Sequence, residues 1–364
     1  MKKYFKGISI TLISAILLTF LPGQVLAAGT AEPAMDSAPV NQLQKAEKAE
    51  GKIIGEITNK RDINIKHFRK DDLTFEADVF PLAVHYQKDG QWQDIDNTLV
   101  DSKGDQNHDI LENKGDDYHV KIAKNAGAGK LVQIQKEGYE VAWNLEGTQQ
   151  KIPAQVKAKD QTALSRLSEN DQKRTLPNLS STVDFINVFP KIDLQYEVNP
   201  QDVKESILIK ETVNNPSFIF NLETKGLTPK LWKDNSIRFY DAGNPENEIF
   251  RMTAPYMYDA NNEQSKDIDL TLKPVGQGYR LTIEPNNEWL NSMDRKFPIV
   301  IDPTLQTSLE TANITDNHVS EGLPNSNFEN SYILKTGNST GGVHRTFIKF
   351  NLPTLTASDM VTKA

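Results

Sequence analysis

Cysteine is absent from all 364 residues. That excludes disulfide staples, thiolate nucleophiles and cysteine-ligated zinc. Positive charge is also scarce, with 41 Lys and Arg against 49 Asp and Glu and a net charge of −8. Nucleic-acid binding relies on clustered Lys and Arg that neutralise phosphate, so this balance argues against a nucleic-acid partner. Histidine is rare, and His67, His85, His108, His119, His318 and His344 show no spacing that builds a transition-metal site. Hydrophobic residues amount to 37%. No apolar run reaches the ~20 residues of a membrane-spanning helix.

What is present begins with a leader. Lys2, Lys3 and Lys6 form a basic start, and Ile8 to Phe20 is uncharged and mostly apolar. Pro22-Gly23 breaks any helix, and Val25-Leu26-Ala27 followed by Ala28 supplies the small residues of a cleavage site. This layout predicts a secretory signal peptide over 1–27, cut between Ala27 and Ala28, and hence a secreted, extracellular protein. Losing the leader removes three lysines and no acid, so the mature chain is more acidic still. Residues 28–52, rich in Ala, Pro, Glu, Gln and Lys, read as a flexible linker with a short helix over Leu43–Glu50.

From Ile53 the hydrophobic period is two. Ile192, Leu194, Tyr196 and Val198 alternate with Asp193, Gln195 and Glu197, and Tyr139, Val141, Trp143 and Leu145 alternate with Glu140, Ala142 and Asn144. Tyr118, Val120, Ile122 and Tyr279, Leu281, Ile283 repeat the pattern. Such alternation marks half-buried strands. Asp89-Gly90, Glu137-Gly138, Asn214-Asn215-Pro216, Gly243-Asn244-Pro245 and Asn261-Asn262 supply turns between them. The expected fold is all-β, an antiparallel β-sandwich. Only Thr162 to Ser181 resists, reading as a long loop with one helical turn. A two-residue turn at Asp89-Gly90 sets Lys88 opposite Gln91 and His85 opposite Asp94, with Leu82, Val84, Tyr86 and Ile95 on the core face.

These residues carry a family likeness. Val84-His85-Tyr86 and Trp92-Gln93-Asp94-Ile95-Asp96-Asn97-Thr98-Leu99 resemble the opening domain of large exported wall-associated and RHS-repeat proteins. Val188-Phe189-Pro190 with Asp193-Leu194-Gln195-Tyr196, Val203-Lys204-Glu205, Ala254-Pro255 with Asp259-Ala260, and Phe297-Pro298-Ile299-Val300-Ile301-Asp302-Pro303 follow in the same order. The resemblance sets this β-sandwich domain at 53–303. Beyond it, Tyr332-Ile333-Leu334 and Arg345-Thr346-Phe347-Ile348-Lys349-Phe350-Asn351-Leu352-Pro353 are similar to the start of a DNRLRE module, a jelly-roll-like domain related to carbohydrate-binding modules. Residues 304–364 are too few for the roughly eight strands of a jelly roll, so the expectation is an incomplete module. In the family, repeats and a variable toxin commonly follow, and neither is present here.

Candidate chemistry is sparse. His85 with Asp94 resembles the base-and-orienter half of a hydrolase triad, but no nucleophile is tied to it, and it reads as a surface ion pair. Asp105, Asn107 and Asp109 begin like a calcium loop, yet Ile110 stands where glycine is needed and Asp116 where glutamate is. Asp94/Asp96 and Asp267/Asp269 read as D-x-D pairs on strands, which makes Ca2+ a weak candidate and leaves no other cofactor. Gly127-Ala128-Gly129 lacks the setting of a nucleotide loop. Among the many acids no hydrolytic carboxylate pair can be singled out. In the terminal segment Arg345, Phe347 and Lys349 share one face and Thr346, Ile348 and Phe350 the other, one of them expected to be core. Tyr332, Arg345 and Lys349 are the candidates for carbohydrate contact.

The expectation is therefore a non-enzymatic, cell-wall-associated scaffold with cell-wall polysaccharide as its candidate partner and no nucleic acid. The alternatives are a secreted polysaccharide-degrading enzyme with a carboxylate site and a structural cap for a repeat shell.

Overall fold

A computed structural model describes residues 51–106, 109–148, 151–158, 165–309, 314–328, 334–339 and 341–350. The leader, its cleavage site at Ala27 and Ala28, and the helix expected over Leu43–Glu50 lie outside the described residues. The described chain is all-β, built of antiparallel sheets. No helix among the described residues is long and apolar enough to cross a membrane.

The chain divides into two compact units, one of which holds 55–69 and 75–309 of the described residues. In this larger unit an eight-stranded sheet and an eleven-stranded sheet supply one shared core. The first runs Ile268–Val275, Gly278–Pro285, Phe218–Lys225, Tyr139–Leu145, Val132–Lys136, His119–Ala123, Ile110–Gly115 and Asp96–Asp101 in spatial order. Alternation places Val141, Trp143, Leu145, Phe218, Phe220 and Leu222 inward, each nearly inaccessible. The second sheet meets them with Val183, Phe185, Leu194, Tyr196, Val203, Ile207, Phe239 and Phe250. Aromatic rings join the two layers: Phe189 lies 6.5 Å from Phe218, and Trp143 6.3 Å from Tyr196.

The expected strand Ile192–Val198 is present, with every second residue buried. It pairs on one side with Ser181–Phe189 and on the other with Asp202–Ile209. Ile299–Asp302 and Thr304–Gln306 then pair successively along Asp202–Ile209, because Pro303 interrupts them without moving them to another partner. The stretch from Thr162 does contain a helical turn: Glu169–Arg174, whose Ser168 hydroxyl accepts from the Asp171 amide.

The Asp89-Gly90 hairpin has the expected register, Lys88 opposite Gln91 and His85 opposite Asp94. Both turn residues have positive φ, 51° and 73°, as a tight two-residue hairpin requires. Val84 and Ile95 are buried as expected, but so is His85, at 1% exposure. The surface-pair expectation is corrected. The hairpin is not one wall of a sheet but a separate two-stranded ribbon, buried at its His85 end and exposed toward the turn.

The second unit contains 51–54, 70–74 and 314–350 of the chain, apart from the undescribed residues. Its sheet sets Ile314–Ser320 beside Gly342–Phe350, with Gly337–Ser339 on the far side. Here the expectation of a core face fails. Phe347 is 58% exposed on one face and Ile348 46% exposed on the other, because among the described residues the three strands of this sheet have no second layer over them.

Candidate functional site

Two constellations gather the polar residues singled out from the sequence. The first surrounds His85. Its Nδ1 lies 2.6 Å from the Asp62 carbonyl oxygen. A carbonyl only accepts, so Nδ1 carries the proton and Nε2 presents its lone pair. Nε2 faces Asp94 Oδ1 at 3.6 Å and Glu56 Oε1 at 3.7 Å. Arg61 clasps Glu56 through Nε and Nη2 at 2.7 and 2.9 Å and reaches Asp94 at 3.0 Å. Lys66 Nζ stands 2.6 Å from Asp94 Oδ1. Two cations thus balance two carboxylates around a neutral imidazole. Burial first, then the charges of Lys66 and Arg61, hold His85 below its ordinary value despite the Asp62 carbonyl and Asp94. Asp94 is pushed up by burial but more strongly down by Lys66 and Arg61, and ends low. Among the described residues no hydroxyl nucleophile joins this network, so it locks the hairpin to the strand Ile65–Lys70 rather than forming a triad.

The second constellation was missed as a site, although its residues had appeared in separate motifs. Tyr196, Lys204, Glu205 and Asp302 come from three motifs and meet on three neighbouring strands. Strand alternation sends Lys204 to the outer face and Glu205 into the core. Outside, Lys204 Nζ pairs with Asp302 at 3.0 Å, and Thr304 Oγ1 donates to the same carboxylate at 2.8 Å. Burial works to lower Lys204, but Asp302 outweighs it and raises the ammonium. Inside, the Trp143 indole N–H donates to Glu205 Oε2 at 3.0 Å and to the Tyr196 hydroxyl at 3.1 Å. Burial pushes the Glu205 carboxyl up to about 7. Spacing alone could not unite these residues, because the strands that carry Glu205 and Asp302 are nearly a hundred positions apart. The alternating pattern through Val203 and Ile207 could have flagged Glu205 as a charged residue on a core face.

Asp259, from a further motif, is a structural cap. It accepts the amides of Asn261, Glu263 and Lys296 at 2.9–3.1 Å. Burial alone would raise it; those three N–H groups and Arg295 outweigh that and hold it low.

An open cleft of about 660 Å³ is lined by Tyr86, Lys88, Asp116, Lys136, Tyr139 and Lys225 among others. Its charges are partly consumed internally: Lys136 Nζ binds Asp117 at 2.7 Å and the Thr307 carbonyl at 2.9 Å. Burial first, and then the neighbouring Asp117, raise Asp116. Its lining mixes Lys88, Lys114, Lys136 and Lys225 with Asp116, Asp117, Glu137 and Glu140.

The remaining candidates are dispersed. Among the described residues no group of three or more His, Asp or Glu could hold a metal ion. Asn107 of the suspected calcium loop and Tyr332 lie outside the described residues. Asp94 and Asp96 sit on different strands in different sheets, so they are not a shared-face pair. Asp267 precedes the strand that carries Asp269, and it accepts from Asn286 at 2.6 Å. Arg345 and Lys349 are exposed on one edge-flanked strand with no convergent partners among the described residues.

Comparison with known proteins changes the functional expectation. The chain is 27% identical over 384 residues to the tRNA nuclease WapA of Bacillus subtilis strain 168, an alignment covering 96% of this chain and 16% of that protein. It is 26% identical to the tRNA(Glu)-specific nuclease WapA of Bacillus subtilis subsp. natto, covering 93% of this chain and 15% of that protein. It is also 26% identical to the tRNA3(Ser)-specific nuclease WapA of Bacillus spizizenii, covering 96% and 16%. The chain therefore spans less than a fifth of the length of these relatives. Their names overturn the expectation of a non-enzymatic wall scaffold, its polysaccharide-degrading alternative, and the exclusion of nucleic acid as a partner. The net charge misled because it describes only this chain, while those names describe proteins several times longer. No solved structure matches. Over residues 59–304 the chain matches the family described as Domain of unknown function (DUF7948), and it belongs to that family.

Proposed function

We propose that this chain is the β-framework portion of a tRNA-cleaving protein of the toxin kind. The observation that carries this reading is similarity across more than nine-tenths of the chain to three relatives named for tRNA cleavage. Those relatives are named for different tRNAs, or for tRNA in general, yet match this chain to the same degree. Selection of the tRNA therefore does not follow from the shared segment. The closed ion network at His85 and the internally paired charges of the cleft agree with a framework role inside such an enzyme. The leader over 1–27 and the likeness of 53–303 to the opening domain of exported RHS-repeat proteins support export of the protein.

The test is made on the gene product released into the medium. Medium from induced cells should cut added tRNA into discrete fragments, visible by probing on a gel. Deleting the codons for 59–304 should stop delivery of that activity to the medium. Added tRNA left intact, with the protein present at full length in the medium, would overturn the reading.

A further inference from the structure

Glu205 is a carboxyl group placed where a hydrophobic side chain would be expected. It lies on the inward face of Asp202–Ile209, 5% exposed, between Val203 and Ile207, both fully buried. Its contacts come from three directions. From the opposite sheet the Trp143 indole N–H donates to Oε2 at 3.0 Å. From the adjacent strand the Tyr196 hydroxyl, which shares the Trp143 indole N–H with Glu205, acts on the same carboxyl as a donor. From Ile299–Asp302 the carboxylate of Asp302 adds like charge. The nearest cation in sequence, Lys204, points to the outer face and is paired with Asp302. No Lys, Arg or His among the described residues forms an ion pair with Glu205. A buried carboxylate with only neutral donors and a like-charged neighbour is costly, whereas the protonated acid fits the same contacts.

We propose that Glu205 is a pH-sensitive latch between the two sheets, closed when its carboxyl is protonated between Trp143 and Tyr196 and loosened when it ionises. The Trp143 indole and the Tyr196 hydroxyl both donate to this carboxyl and favour its ionised form, but burial without a cation outweighs them, and Asp302 adds like charge. As an anion it can only accept, and it draws water toward the point where the two layers meet. Burial lifts this carboxyl from the ordinary 4.5 to about 7. The folded chain then holds the proton more tightly than the unfolded chain. Its stabilisation is whole below about 4.5 and is lost as pH rises toward about 7. Mildly acidic surroundings tighten the sandwich, and neutral surroundings relax it.

Trp143 is a built-in reporter, since its indole touches the titrating group. In the wild-type chain, tryptophan emission should shift with a midpoint near neutrality, while urea resistance falls from about pH 5 to about pH 7. Glu205→Gln keeps the shape and the acceptor but cannot ionise. It should abolish the emission shift and flatten this part of the stability profile. An unchanged emission transition in Glu205→Gln overturns the latch. If that variant does not fold, infrared spectra of wild type and Trp143→Phe decide. Removing the indole donor takes away a contact that favours the carboxylate, so the protonated-carboxyl band should persist to higher pH in Trp143→Phe. The same band profile in both proteins overturns the proposal.

Discussion

The His85 imidazole and the Asp94 carboxylate stand directly opposite one another across a two-residue hairpin, yet their closest approach, 3.6 Å, is not a hydrogen bond. Asp94 gives its short contacts to Lys66 and Arg61 instead. The two residues are thus held by different partners, and each has a separate role. His85 anchors the hairpin through Asp62, and Asp94 neutralises Lys66, only 9% exposed in its side chain.

Asp94→Ala should therefore destabilise mainly by leaving Lys66 poorly compensated. Asp94 is itself half exposed, so solvent screening limits the cost to about 1 kcal/mol. The loss should shrink as salt is added. Urea unfolding at low and high ionic strength checks both statements. A salt-independent loss of several kcal/mol would show that the network is drier than its exposure implies.

His85 has a pH consequence of its own. Its value is held below the ordinary 6.5, with burial the largest cause. The unfolded chain therefore takes up this proton first, and stability falls as pH drops below about 6.5. His85→Asn keeps a donor toward the Asp62 carbonyl but does not titrate. It should remove that acid-side loss, seen as a smaller drop in thermal midpoint between about pH 6.5 and 5.

Gly278 opens the strand beside Phe218–Lys225. A Cβ added there would come 2.3 Å from the Leu222 carbonyl oxygen, which is backbone and cannot swing away. Gly278→Ala should cost about 1–3 kcal/mol through forced displacement of the ladder. Gly129→Ala meets nothing within 4 Å and should be near neutral. Paired urea melts of the two variants give the comparison.

Much of this architecture is legible in the amino-acid pattern. Period-two patterning located Ile192–Val198 and Tyr139–Leu145, and the Asp89-Gly90 turn fixed a register that the structure reproduces. Alternation reports which side of a strand a residue occupies, but not whether that side is covered. Hence His85 was assigned to the surface and proved buried, while Phe347 and Ile348 were expected to divide between core and solvent and are both exposed. The union of Tyr196, Lys204, Glu205 and Asp302 was illegible for another reason. It depends on Ile299–Asp302 returning to pair with Asp202–Ile209, and strand order over that distance leaves no trace in local spacing.

Asp202 extends the pH argument to the start of the same strand. Burial raises its carboxyl from 3.8 to about 6, against the Asn199 amide, which donates to Oδ1 at 3.0 Å, and with Glu197 and Asp302 adding like charge. The folded state again binds the proton more tightly than the unfolded chain. Its favourable contribution is complete below about 3.8 and disappears as pH rises through about 6. Asp202→Asn keeps an oxygen for Asn199 and removes the charge that the site resists. The variant should match wild type near pH 4 and exceed it by the order of 1 kcal/mol at pH 7, the gain limited by partial solvent access. Urea midpoints at both pH values test this. A variant less stable than wild type at pH 7 would mean that the ionised carboxylate is held by Lys204 after all, despite its pairing with Asp302.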